Sequence, residues 1–254
     1  MHPSDRGSER PVPARHIEPF RVRFDEAGAD GALRTSAYLR WMQDAASVHS
    51  SAAGYTREWY REHGIFWLVR HLDLRIHLPS HPGEILDVST EVLGFRRIWA
   101  RRRSEFHTPD GRLAAEADID WVLTTAAGRP TRVPAEIVAR FPALETEYAP
   151  ARLEMPAMPD DAATEARRAE PHELDPMAHV NNAAYLDQFE SALDAIDAGA
   201  LRAAVPRHLL LEYLAPAPPG ALLTWRVWAI ADGTAGVVSD DSDTALVRIV
   251  ARTG

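Results

Sequence analysis

An aspartate and a histidine stand four positions apart in the segment His172-Glu173-Leu174-Asp175-Pro176-Met177-Ala178-His179-Val180-Asn181-Asn182. Pro176 makes the stretch between them a turn. Two asparagines follow, and then an apolar run opens with Ala183-Ala184-Tyr185-Leu186. A carboxylate can deprotonate water or attack a carbonyl directly, and a histidine can protonate a leaving group or orient water. The start of a helix offers free backbone N–H groups and the positive end of a dipole, which suit a developing oxyanion. Asp175, His179 and the N–H groups after them could therefore act together on an activated acyl group. Each residue also has an ordinary structural reading: Asp175 as a turn cap, His179 as a packed histidine, Asn182 as a helix cap. The spacing favours a site.

The elements that position this turn occur twice. Placing Tyr38-Leu39 over Tyr185-Leu186 puts Met42 on Phe189, Gln43 on Glu190 and Ala45 on Ala192, with Gly28 on Asp175 and Ala32 on His179 upstream. Pro82-Gly83 matches Pro219-Gly220 at a shorter offset. Each half reads as a short strand and turn, an apolar helix, then a run of strands. The period is too long for a solenoid and fits two fused copies of one domain.

In the first half, Thr35 or Ser36 can cap a helix running to about Ala53, with Tyr38, Leu39, Met42, Ala45, Ala46 and His49 at helical spacing. Strands are expected over 66–77, 85–93, 96–107 and 113–124, separated by Gly- and Pro-bearing turns. In the second half, Asn182 can cap a helix from about Ala183 to Ala198, followed by strands over 208–214, 222–230, 236–240 and 244–251. One apolar helix per half needs a sheet to cover it. The expected division is a flexible lead over 1–15, a first domain over 16–141, a Pro- and Ala-rich linker over 142–166 and a second domain over 167–254. Gly28 and Ala32 replace the acid and the histidine in the first copy, so one working site per chain is expected, with the first half supplying a wall of its pocket.

Composition narrows the classes. The chain has 254 residues and no cysteine, which excludes disulfides, thiolate metal sites and a cysteine nucleophile. Hydrophobic residues make up 46%, enough for a sizeable core, and the net charge of −9 argues against indiscriminate nucleic-acid binding. No run reaches membrane-spanning length and no signal peptide is visible, so a cytoplasmic protein is expected. His77 and His81 are separated by Pro79, which breaks a helical metal pair, and no glycine loop suits a nucleotide. Neither a metal nor another cofactor is expected.

The segment Leu174 to Asn182, with Tyr185 and Phe189-Glu190, resembles the hotdog-fold thioesterases of the 4-hydroxybenzoyl-CoA thioesterase type. Asp120-Trp121-Val122-Leu123 and Gly128-Arg129-Pro130-Thr131-Arg132-Val133-Pro134 resemble the end of the first hotdog in acyl-ACP thioesterases, which carry two hotdogs in one chain. The resemblance runs from about Phe20 to the C-terminus. It implies an α+β fold of two fused hotdog domains, each a long apolar helix wrapped by an antiparallel sheet. It also implies a thioesterase of fatty acid biosynthesis that releases free acid from an acyl carrier protein or coenzyme A thioester. The family's active-site aspartate, asparagine, histidine and strand glutamate fall on Asp175, Met177, His179 and Glu212. Met177 departs from the pattern, since a thioether cannot replace an amide. The resemblance further implies that the N–H groups near Asn181 and Asn182 face the thioester oxygen.

Arg96, Arg97, Arg101, Arg102 and Arg103 form the densest basic cluster. Strand alternation would expose several of them, so Arg101 and Arg102 are candidates for docking an acidic carrier or the phosphates of coenzyme A. The plain alternative is a solvated strand face balanced by nearby acids. Gln43 and His49 could reach a pocket from the first helix, though ordinary packing explains them as well. Two other functions fit the same fold: an acyl-thioester hydratase or dehydratase, and a non-catalytic protein that binds acyl chains or a carrier. A fused pair already supplies the two-hotdog unit, so either a monomer or a homodimer is compatible.

Overall fold

Runs in which β-branched and aromatic residues alternate with charged ones form strands whose apolar side chains share one face. The computed structural model describes residues 12–142 and 149–253. The first half comprises β1 (Arg15–Arg21), α1 (Thr35–Ala52), α2 (Arg57–Glu62), β2 (Ile65–Ile76), β3 (Ile85–Arg96), β4 (Trp99–His107), β5 (Leu113–Thr125) and α3 (Ala135–Arg140). The second comprises β6 (Ala163–Arg168), α4 (Ala184–Ala192), β7 (Arg207–Tyr213), β8 (Leu222–Ile230), β9 (Gly233–Ser239) and β10 (Ala245–Thr253).

All ten strands join one antiparallel sheet in the order β1-β3-β4-β5-β2-β7-β10-β9-β8-β6. Read from either edge, the two halves contribute corresponding strands in the same sequence. They meet where β2 pairs with β7, from His71 opposite Glu212 to Ile76 opposite Arg207. Both long helices lie on one face of this sheet. Tyr38, Leu39, Met42 and Ala45 of α1 and Tyr185, Leu186 and Phe189 of α4 are buried in the same core as Leu72, Leu74, Leu209 and Leu211. Apolar residues at helical spacing give each helix one face that is unstable in water, and the sheet removes that surface. The result is a double hotdog. The helices are tied to each other by Arg40 with Asp187 at 2.9 Å and by the Thr35 hydroxyl with Glu190.

The structure differs from the sequence expectation in four places. The second helix is α-helical only to Ala192; a 3-10 turn follows over Leu193–Ile196, and Asp197 ends it with φ of 53°. Asp194 and Asp197 are poor helix formers, and a short polar side chain tolerates the left-handed conformation. The expected linker ends inside β6, because Ala163 to Ala166 already pair with β8. Edge strands carry polar residues without loss, so Thr164, Glu165 and Arg167 hid the strand. Residues 143–148 of that linker lie outside the described residues, and 149–162 cross the outer face of the sheet, where Leu153 packs on Trp228, Ala235 and Val250. Of the expected lead, residues 1–11 lie outside the described residues, Val12 is buried beside Phe141, and Arg15 already pairs in β1. Helices α2 and α3 were not anticipated.

Candidate active site

Two backbone ties shape the Asp175 turn. Leu174 bridges Val180, and the Asp175 N–H donates to the His179 carbonyl at 2.8 Å. Beneath them, Glu173 is 8% exposed and fully engaged. Its Oε1 accepts from Arg167 at 2.8 Å and from Gln188 Nε2 at 3.0 Å, and its Oε2 accepts from the Glu170 N–H at 2.7 Å. Gln188 in turn accepts from Trp225 Nε1 at 3.1 Å. A buried carboxylate this well satisfied pins the turn to α4 and β8. The first half builds the same loop: Gly28 N–H to the Ala32 carbonyl at 2.8 Å, with Glu26 accepting from Trp41 Nε1 at 3.0 Å. The acid, the histidine and both asparagines are missing there, replaced by Gly28, Ala32, Arg34 and Thr35.

Asp175 uses one oxygen on its own turn. Oδ1 accepts from the N–H groups of Met177 at 2.8 Å and His179 at 3.2 Å. The other oxygen has no partner among the described residues, and the residue is half-buried. Asp175 is thus both the turn cap of the plain reading and a carboxylate with a free lone-pair edge. Ala178 takes φ of 59°, where the first half has Gly31 at 78°. The ring of His179 is half-buried and meets no partner among the described residues.

The asparagines exchange their expected roles. Asn181, not Asn182, makes the side-chain bond just ahead of the helix: its Oδ1 accepts from the Ala183 N–H at 2.9 Å. The Asn181 N–H is occupied by the Glu173 carbonyl at 2.8 Å. That leaves the N–H groups of Asn182 and Tyr185 without a partner among the described residues at the mouth of α4. The Asn182 carbonyl is held by the hydroxyl of Tyr213 at 3.1 Å, a contact no local spacing could reveal.

Glu212 lies elsewhere. Leu209, Leu211 and Tyr213 point to the helices, so Glu212 alternates to the outer face of the sheet. It sits across from His71 and 3.7 Å from Arg248, and no contact joins it to His179. His71 is buried there, and burial lowers its pKa against the upward pull of Asp120, Asp73 and Glu212.

A cavity of about 450 Å³ opens beside the turn. Pro176 and Met177 line it, and every other described lining residue comes from the first half: Ala46, Ser47 and Ser50 of α1, Arg57, Tyr60 and Arg61 of α2, Phe66, Trp67, Val92, Phe95, Ala100, Arg102 and Trp121 of the sheet, with Ile137 and Phe141. The first half therefore supplies nearly the whole chamber, more than the single wall expected. Two tryptophans, Trp67 and Trp121, face it.

The arginine cluster is not an open patch. Arg101 forks onto Asp120 at 2.7 and 2.9 Å, and Arg103 onto Asp118 at 2.8 and 2.9 Å, all on the outer face. Arg102 alternates inward into the cavity. Its Nη1 donates to Nδ1 of His49 at 3.1 Å and reaches Thr90 Oγ1 at 3.5 Å, and its guanidinium lies over the ring of Phe141 at 5.5 Å. His49 is wholly buried and donates from Nε2 to the Pro13 carbonyl at 2.9 Å, which leaves Nδ1 free to accept. Among the described residues no group of three or more metal-ligating side chains forms, and no helix is long and apolar enough to cross a membrane.

The family model for the acyl-ACP thioesterase N-terminal domain matches residues 13–141. No curated protein matches the sequence. Among solved structures, the chain is similar to one from Lactobacillus plantarum provisionally described as an oleoyl thioesterase, at 22% identity and a TM-score of 0.82 over 94% of this chain and 96% of that one. It is similar to an acyl-ACP thioesterase from Bacteroides thetaiotaomicron at 15% identity and a TM-score of 0.78, over 94% and 97%. It is also similar to the 12:0-ACP thioesterase from Umbellularia californica at 18% identity and a TM-score of 0.78, over 95% and 97%. At these identities the structural likeness concerns the fold.

Proposed function

The chain belongs to the acyl-ACP thioesterase family and is a thioester hydrolase, and from that premise we propose that it hydrolyses acyl-ACP, or the corresponding coenzyme A thioester, at the Asp175 turn. The acyl group enters the cavity past Met177. The free carboxylate oxygen of Asp175 takes a proton from water, whose oxygen adds to the thioester carbon. Direct attack by the carboxylate, followed by hydrolysis of the anhydride, uses the same geometry. Charge gathers on the carbonyl oxygen, and the unengaged Asn182 N–H at the start of α4 is the donor suited to it. When the C–S bond breaks, His179 supplies a proton to the departing thiolate. The products are the free acid and the thiol. Glu212 has no part in this scheme, because its carboxylate belongs to the outer face. Met177 serves as a wall of the cavity and, through its backbone N–H, as a brace for Asp175.

One observation carries the reading: a carboxylate with an unengaged oxygen sits in a turn whose next two residues line the cavity. Asp175→Asn keeps an oxygen able to accept both turn N–H bonds and removes the base. Thiol release from a panel of acyl thioesters should fall by about 10²- to 10⁴-fold, while the denaturation midpoint stays close to that of the wild type. Equal release by wild type and variant overturns the role of Asp175. An altered acyl chain on an intact thioester would identify a hydratase or dehydratase, and tight binding without turnover a carrier or acyl-binding protein.

A further inference from the structure

Arg102 stands in the cavity with no carboxylate beside it among the described residues. Three arginines line the chamber, Arg57, Arg61 and Arg102, and among the described residues no aspartate or glutamate does. Arg57 and Arg61 are exposed at the rim. Arg102 is half-buried, and among the described residues no carboxylate pairs with it. Burial lowers its pKa to about 10, so it remains cationic at neutral pH. A partly buried charge without a counter-ion is costly, and a chamber that only had to hold a hydrocarbon tail would be better lined without one.

The guanidinium is also oriented. His49 and Thr90 engage Nη1 alone. His49 can do this because its own N–H is fixed on Pro13, and Phe141 supports the guanidinium plane. The edge formed by Nε and Nη2 has no partner among the described residues, and neither atom is sealed from solvent. That edge presents two parallel N–H bonds, the pattern that matches a carboxylate bidentately. Ser50 and Tyr60, hydrogen-bonded to each other at 3.1 Å, add polar groups to the same lining.

We propose that Arg102 is a specificity residue that binds a carboxylate at the far end of the acyl chain, so that the preferred substrate is a half-thioester of a dicarboxylic acid. The inference rests on the cavity being the acyl site. The chain would span from the thioester at the Asp175 turn, contributed by the second half, to Arg102 inside the first.

The test compares pantetheine thioesters of matched length ending in methyl or in carboxylate, across a series of lengths, with the full-length chain. At the best length the wild type should favour the carboxylate-ended substrate in kcat/KM by about tenfold or more. Arg102→Met should lower that ratio by about tenfold or more, and Arg102→Lys, which keeps the charge and loses the fork, should lower it less. A wild-type ratio at or below one, or a ratio unchanged in an Arg102→Met protein with native circular dichroism, overturns the proposal.

If no thioester is cleaved, the hydrolytic reading fails and the arginine is tested separately by calorimetry with free acids. Binding of a diacid that is lost in Arg102→Met sustains the site, and equal binding by both proteins overturns it. A monoacid that binds as tightly as the diacid and equally needs Arg102 assigns the arginine to the released product's own carboxylate, which overturns the assignment to the chain end.

Discussion

At the scale of the residue, the role proposed for Asp175 makes one side chain structural and chemical together. Asp175 engages Oδ1 on two backbone N–H groups and leaves its other oxygen open. The geometry of the turn is therefore independent of the proton chemistry, which is why an asparagine there separates the two. Ala178 carries the strain in this loop, since its φ of 59° brings its Cβ close to the carbonyl oxygen that follows it. Ala178→Gly removes about 1–2 kcal/mol of strain and loses about 0.5–1 kcal/mol of that to unfolded-chain entropy. A net stabilisation of about 0.5–1 kcal/mol is expected from urea unfolding. A destabilised variant would mean that the alanine methyl makes a contact worth more than the strain.

At the scale of the element, α1 does more than pack. His49 is buried on its last turn, and its pKa is lowered to about 4, first by burial and then by the neighbouring Arg102, against the upward effect of the Pro13 bond. Above the ordinary histidine value of 6.5 both folded and unfolded states are neutral, and His49 contributes no pH dependence. Between about 6.5 and about 4 the unfolded chain binds a proton that the native state refuses, so stability falls as pH falls, by up to about 3 kcal/mol at the lower end. His71, whose pKa is lowered by burial in β2, acts in the same direction. Urea midpoints measured from about pH 7.5 down to about pH 4.5 should show this loss. His49→Gln, able to accept from Arg102 and donate to Pro13 without titrating, should flatten it; an unchanged slope would remove His49 as the cause.

At the scale of the whole molecule, two copies of one domain have divided the work. The sheet is continuous through β2 and β7, and both helices share one core, so neither half is closed without the other. In the proposed scheme the second half keeps the chemical turn, and the first supplies nearly all of the described cavity lining. Leu211 on β7 is fully buried at this seam. Leu211→Ala should cost about 2–5 kcal/mol, and its effect should reach both halves in a single transition. Tryptophan fluorescence and far-UV circular dichroism traces that remain superimposed check this; two separated transitions would show that the halves unfold independently.

The repeat, the α1 helix and eight of the ten strands were legible in the sequence, because apolar periodicity is a local consequence of which face is buried. The order acid, turn, histidine, helix start was legible for the same reason: a turn is built from its own residues. A short opening strand was expected in each half without bounds; those of β6 were hidden because an edge needs no apolar alternation, and α2 and α3 because helices of six residues carry little periodic signal. The facing of side chains across the sheet was decided only by tertiary structure. Whether Glu212 meets His179 or Arg248, whether Arg102 joins a surface patch or enters a chamber, and which half holds the chamber all depend on register between strands far apart in the chain. A one-residue difference in register reverses every face, and no local pattern fixes it. Asn182's free N–H was likewise settled by a distant partner, since Glu173 engages the neighbouring Asn181 N–H only once the turn has closed onto α4.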